Sequence, residues 1–256
     1  MKILIATHKN YTMPENSIYQ PMMVGSELVD DTFGFQPDNV GQNISAKNPI
    51  YNELTALYWA KYNLQDEDVI GLAHYRRYLG RRKSHNLADV LSEADINAGL
   101  ENADVLVPRA RNYYIETQEQ HYLNAHANEP YFLLKEVIGT DFPAYSVAFE
   151  QVAKSKTAFL FNMSIMKQAD FQSYTDFLFD VLGRVEARLD WTRLHGQDVR
   201  ALGFMAERLL NVWLIANDKR PKEYPIVSTE KTNWIDKGFH FAKRHFSKNG
   251  SGKVHF

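Results

Sequence analysis

The segment His74-Tyr75-Arg76-Arg77-Tyr78 follows directly on the apolar run Ile70-Gly71-Leu72-Ala73. An imidazole and two guanidinium groups at that spacing suit a diphosphate, because each guanidinium offers paired N–H donors to two oxygens at once. Two other apolar runs end the same way. Ile3-Leu4-Ile5-Ala6-Thr7 is followed by His8 and Lys9, and Val105-Leu106-Val107-Pro108 by Arg109 and Arg111. If the three runs are parallel strands, their ends meet at one sheet edge, where open α/β folds bind ligands. If the chain stays extended after Ala73, successive side chains alternate. His74 and Arg76 then face the ligand, and Arg77 is left to pair with a structural carboxylate.

A second cluster runs from His195 to Leu210. Asp198 suits a helix cap, Arg200 and Glu207 share a helical face, and Gly203-Phe204 suggests a close backbone approach. Glu207 beside Arg208 among apolar residues fits a general base held by an arginine, and it fits a structural ion pair as well. Asn162, after Phe159-Leu160-Phe161, could bring an amide to a sugar hydroxyl or simply turn the chain in the core.

These groups need elements to carry them. Lys2 to Thr7, Val69 to Ala73 and Ala103 to Pro108 read as buried strands, and Phe159 to Met166 as a strand or strand pair. Asn48-Pro49 suits a helix start, with the helix running from Tyr51 to Asn63. Further helices are expected at Thr117–Ala125, Tyr131–Ile138 with Gly139 as C-cap, Pro143–Val152, Lys167–Val185 and Ala201–Ile215. Tyr11 to Val40 reads as a long loop with one short strand near Pro21-Gly25, and loops of that length are often functional. Strand, helix, strand in succession gives a βαβ pattern and one mixed α/β domain.

Composition narrows the classes. The 256 residues include 29 Lys+Arg and 31 Asp+Glu, a balance that argues against a nucleic-acid-coating protein. With 0 Cys there is no thiolate nucleophile, disulfide or cysteine-held metal. No apolar stretch approaches the roughly 18 residues that span a bilayer. Glycine-rich phosphate loops and the Gly-x-Ser-x-Gly elbow are missing, which removes the main support for dinucleotide oxidoreductases, P-loop enzymes and serine hydrolases. Asp66-Glu67-Asp68 precedes a strand rather than following one, so it reads as a solvated turn and not as a metal site. A metal-free grip by arginines is the preferred expectation, since guanidinium groups can neutralise a leaving diphosphate.

Several blocks together resemble a known family. They are Ile5-Ala6-Thr7-His8-Lys9, Asn43-Ile44-Ser45-Ala46-Lys47-Asn48, Glu53-Leu54-Thr55-Ala56-Leu57-Tyr58-Trp59 and Gly71 to Tyr78. Asn162-Met163, Met166-Lys167, Phe177 to Asp180 and Gly203-Phe204 with Glu207 to Leu210 extend the match to about residue 215. The family is a bacterial group of capsular and exopolysaccharide synthesis, catalogued as a domain of unknown function and regarded as glycosyltransferases. Ala46 stands where it more often has Glu, and Asn52 where it often has Cys.

The resemblance implies a GT-A-like fold, a mostly parallel sheet flanked by helices, over residues 1–228, with a basic aromatic tail at 229–256. It implies transfer of a hexose, with galactose in pyranose or furanose form as the candidate, from a UDP-linked donor to a lipid-linked or oligosaccharide acceptor. No permanently bound cofactor and no nucleic-acid partner are expected. Its blocks add Thr7, Lys47, Asn48 and Arg208 to the expected binding set of His8, Lys9, His74, Arg76, Arg77, Arg109 and Asn162. Glu207, Asp198 and Arg76 are the expected catalytic groups. A cytoplasmic location is expected. The tail, with Lys243, Arg244 and Phe246, fits either contact with the anionic inner face of a membrane or a solvated flap. The competing reading is a non-catalytic glycan-binding or assembly protein.

Overall fold

In the computed structural model, which describes residues 1–230, the first apolar run forms β1 (Lys2–Thr7). The segment read as a loop holds two further strands, β2 (Tyr19–Met23) and β3 (Gln36–Pro37). The buried Asp38 anchors what remains of it. Its carboxylate accepts from Gly25 N–H at 2.9 Å, Ser26 N–H at 3.0 Å and the hydroxyls of Ser26 and Ser45. The expected helix of residues 51–63 comes in two pieces, α1 (Asn48–Tyr51) and α2 (Leu54–Asn63), split at Asn52, whose φ is 52°. Next come β4 (Val69–His74), β5 (Arg77–Leu79), α3 (Glu93–Leu100), β6 (Val105–Pro108) and β7 (Arg111–Asn112).

Four helices follow in the second half. They are α4 (Gln118–Ala125), α5 (Asn128–Asp141), α6 (Ser146–Lys154) and, after β8 (Thr157–Ala158) and β9 (Ser164–Lys167), α7 (Gln168–Arg188). Thr117 starts α4 with a capping box closed by Gln120. Gly139 lies inside α5 rather than capping it. The chain ends its described course with α8 (Ala201–Ala216), β10 (Pro221–Tyr224) and β11 (Ile226–Ser228).

The main sheet runs β10-β6-β9-β4-β1-β2-β3. β9 is antiparallel to both neighbours, and all other strands on this path run the same way. The ends of β1, β4 and β6 therefore share one edge, as the sequence predicts, and the Asn162 turn before β9 arrives at that same edge. Alternation divides the core. Leu4, Leu72, Val105 and Met166 meet α2, α5, α7 and α8 on one face, while Ile3, Ile5, Leu106 and Ile165 meet α3 and Tyr78 on the other. The fold is thus a single α/β domain, a mixed and mostly parallel sheet flanked by helices. The tail from residue 231 onward, with its membrane expectation, lies outside the described residues.

One expectation is corrected here. The chain does not stay extended after His74. Tyr75 and Arg76 form a turn, and β5 runs back antiparallel with His74 directly opposite Arg77. Opposed residues of an antiparallel pair point to the same face. Arg77, not Arg76, therefore stands beside His74.

Candidate active site

The chain between β8 and β9 makes a corner that L-residues rarely adopt. Phe161 and Asn162 have φ of 73° and 52°, left-handed values at two successive non-glycine positions. Such a conformation persists only where its surroundings over-determine it, and here they do. His74 Nε2 lies 2.6 Å from the Phe161 carbonyl oxygen, and Glu207 Oε1 accepts from Phe161 N–H at 2.9 Å. Asn162 Nδ2 donates to Glu53 Oε1 at 2.7 Å and to the Gly203 carbonyl at 3.1 Å. The Arg77 guanidinium lies 4.7 Å from the centre of the Phe161 ring.

Each group reaches the corner for a local reason. His74 ends β4, and Arg77 opposes it across the turn. Glu53 is brought in because Asn52 breaks the helix just before it. Gly203 is needed where α8 crosses Asn52: a Cβ there would sit 2.7 Å from Asn52 Nδ2. Asn52 also accepts from Arg200 Nε at 2.6 Å, so the α1–α2 break and the entry to α8 are tied together.

The electrostatics follow from this packing. Burial raises the Glu207 pKa above the ordinary carboxylate value; the Arg208 charge and the Phe161 amide pull it back, and the Glu53 charge pushes it up again. Burial lowers the His74 pKa, against an opposing pull from Glu53 and from the Phe161 hydrogen bond. A carbonyl can only accept, so the Nε2 of His74 carries a proton. That proton is spent on Phe161. His74 thus holds the corner, where the sequence placed it on the ligand.

Around this floor lies a cationic rim. His8 packs edge-on against Tyr75, with ring centres 5.1 Å apart. Its pKa is lowered by burial and by the neighbouring charges of Lys9, Arg76 and Arg200. Arg76 binds both carboxylate oxygens of Glu230, at 3.1 and 3.3 Å, which shows that an anion can be seated there. Arg111 approaches Glu207 from β7, and Arg77 approaches it from β5. Arg109 is exposed at the same edge, its N–H bound to the Tyr224 carbonyl at 2.9 Å.

Other expected residues serve the scaffold. The buried Thr7 hydroxyl closes a turn onto the Lys9 carbonyl at 2.7 Å. Lys47 pairs with Glu186 at 2.8 Å, and Asn48 donates to the Asn52 carbonyl at 2.8 Å. Asp198 accepts from Ala127 N–H at 3.1 Å and lies 3.8 Å from His126 Nδ1, holding the start of α5 rather than facing Glu207. Arg208 is only 3% exposed. It donates to the Phe204 carbonyl at 2.7 Å and lies over Tyr122, so its part is to supply charge beside Glu207 from inside the core. Asn162 spends its amide protons on Glu53 and Gly203 and so clamps the corner, while its buried Oδ1 has no protein partner among the described residues.

Among the described residues no group of three or more His, Asp or Glu side chains is arranged to hold a metal ion. A cavity of about 720 Å³ lies along α6, α8 and β10, lined by Gln151, Phe159, Asn211, Ile215 and Lys219. It is separate from the corner, and the titratable groups that face one another are at the corner.

The model of a family described as a domain of unknown function, DUF4422, matches residues 2–218. The chain belongs to the DUF4422 family. Among solved structures, this DUF4422 chain is similar to the apo structure of the WbbM bifunctional glycosyltransferase, with a TM-score of 0.81 and 26% identity. The likeness covers 90% of this chain and 45% of that one, so the chain spans less than half of its structural relative. No curated protein matches it. The shared architecture is the GT-A-like α/β arrangement expected from the sequence, and the family link agrees with the resemblance drawn there.

The sequence reading of this DUF4422 domain missed Glu53 as a site residue and left Arg111 and Arg200 outside its binding set. Glu53 appeared only inside the block Glu53 to Trp59, where it reads as a helix-start acid. The one available signal was Asn52, a residue that tolerates left-handed backbone and can end one helix just before another begins.

Proposed function

We propose that this chain is a glycosyltransferase. It moves a hexosyl group from a nucleotide-diphosphate sugar to a hydroxyl of a growing cell-surface glycan. The observation that carries the reading is the strained Phe161–Asn162 corner, which fixes the Glu207 carboxylate among cationic strand ends. Arg76, Arg77 and Arg111, with His8, Lys9, Arg109 and Arg200 at the rim, suit the donor diphosphate. Glu207 is the general base. It takes the proton of the acceptor hydroxyl while that oxygen bonds to the anomeric carbon. The anomeric carbon–oxygen bond to the diphosphate breaks, and the nucleoside diphosphate leaves with the electron pair, so configuration inverts. A base whose pKa is raised is a stronger proton acceptor. The arginines meet the charge that develops on the leaving group.

A UDP-linked donor, galactose as the sugar and a lipid-linked or oligosaccharide acceptor are the finer parts of this proposal. So is a domain ending near residue 228, with the tail beyond it at the membrane surface. Calorimetry against a panel of nucleotide sugars, with and without Mn²⁺, tests it. At least one donor should bind, chelator should leave that binding intact, and Arg76→Ala should weaken it by ~10-fold or more, as expected for a lost charge-assisted bidentate contact. Binding of none of the panel would sink the transferase reading.

A further inference from the structure

Glu53 has no place in the mechanism above, yet it sits within one residue of the group that does. Glu207 Oε1 takes the Phe161 N–H, and Glu53 Oε1 takes the side-chain N–H of the next residue, Asn162. Two carboxylates, one from α8 and one from the turn before α2, are thus mounted on consecutive positions of a left-handed corner. We propose that Glu53 is a positioning residue of the transfer reaction: through Asn162 it holds the backbone amide that orients Glu207, and it sets its own negative charge against the Glu207 carboxylate. This rests on the reading of Glu207 as the base.

The surroundings make the pair asymmetric. Facing Glu207 are Arg208 on its own helix, Arg111 and Tyr113 at β7, Arg77 on β5 and Glu53 before α2. Facing Glu53 are Asn162, His74 and Glu207. Glu53 donates nothing to the reaction and sits one hydrogen bond behind the corner. Its charge makes the ionised form of Glu207 less favourable, and Glu207 answers by holding a proton more tightly than it would alone. Charge and clamp are separable. Glu53→Gln keeps an oxygen for Asn162 Nδ2 and removes the charge. Asn162→Ala keeps the charge and removes the clamp.

Two experiments test this. In the full chain, the acid limb of the kcat/KM pH profile reports ionisation of the base. Glu53→Gln should move that limb to lower pH by ~1 unit, the scale of one neighbouring charge. The donor KM should stay within about two-fold, since Glu53 stands behind the corner and not on the donor. Asn162→Ala should lower kcat without moving the limb to lower pH. Independently of activity, carboxyl-carbon NMR of the wild-type chain should show the Glu207 titration step in the Glu53 resonance as well as in its own. In Glu53→Gln the Glu207 midpoint should fall. A Glu53→Gln protein that melts like wild type but keeps the wild-type acid limb overturns the proposal. So does a wild-type Glu53 resonance that does not record the Glu207 step, a result that stands even if the variant does not fold. If no donor supports transfer, the proposed function falls, while the NMR titration still decides whether the pair exists.

Discussion

The Glu207 carboxylate is fixed by a backbone amide on one oxygen and by the charges of Arg208 and Glu53 around it, which is why a conservative change there separates chemistry from structure. Glu207→Gln retains an oxygen for Phe161 N–H and loses only the basicity. Its kcat should fall by ~10²–10⁴-fold, the usual worth of a positioned base, with donor affinity measured by calorimetry little changed. The same substitution has a stability signature. Because the folded-state pKa of Glu207 is raised, the folded chain holds the proton longer than the unfolded one. The stabilising contribution is complete below the ordinary value of 4.5 and is lost as pH rises through the folded value. Wild type should therefore lose stability over that window in chemical denaturation, and Glu207→Gln should lose less. At this scale the sequence was half legible. Glu207 and Arg76 stand out by their neighbours, an acid beside an arginine on an apolar face and a cation after an apolar run. Phe161 could not be read, because an aromatic after Phe159-Leu160 signals a strand and nothing in its type announces φ of 73°.

At the level of elements, β4 does most to build the site, and its Gly71 is the reason it fits. Gly71 stands opposite both Ile3 of β1 and Ile165 of β9. A Cβ there would lie 2.6 Å from Ile165 Cγ1, 2.9 Å from Ile3 Cδ1 and 3.0 Å from the Ser164 carbonyl oxygen. The last of these is backbone two residues beyond Asn162, so Gly71→Val should both lower stability by ~1–3 kcal/mol, the common cost of overpacking, and displace the Asn162 turn. Thermal melting and donor calorimetry on the same sample would read the two effects. The apolar runs of β1, β4 and β6 made these strands readable in advance. The turn at Tyr75-Arg76 was not, since His74 to Tyr78 contains no Gly, Pro, Asn or Asp to mark a reversal. What reverses the chain is the pairing of β5 with β4 and β11, a contact between residues about 150 positions apart that no local pattern encodes.

Across the whole molecule, the common direction of β10, β6, β4, β1, β2 and β3 gathers the cationic strand ends on one edge, and this was legible from three apolar runs and the residues that follow them. The short strand expected near Pro21-Gly25 is β2, whereas β3 was lost inside the segment read as loop, because its order depends on Asp38 collecting the Gly25 and Ser26 amides from across a bend. The sheet is also completed from far along the chain. β10 lies against β6 and β11 against β5, yet both come after residue 218, where the family match stops. A chain ended at that boundary would keep every residue of the Glu207 corner and lose the outer partners of two strands. Bare strand edges pair with whatever edge they meet. Such a shortened protein should therefore self-associate through β5 and β6, visible as concentration-dependent light scattering, while a chain carried through Ser228 should stay dispersed. The last strands of this fold act as a seal against aggregation as much as they act as part of the sheet that carries the Glu207 corner.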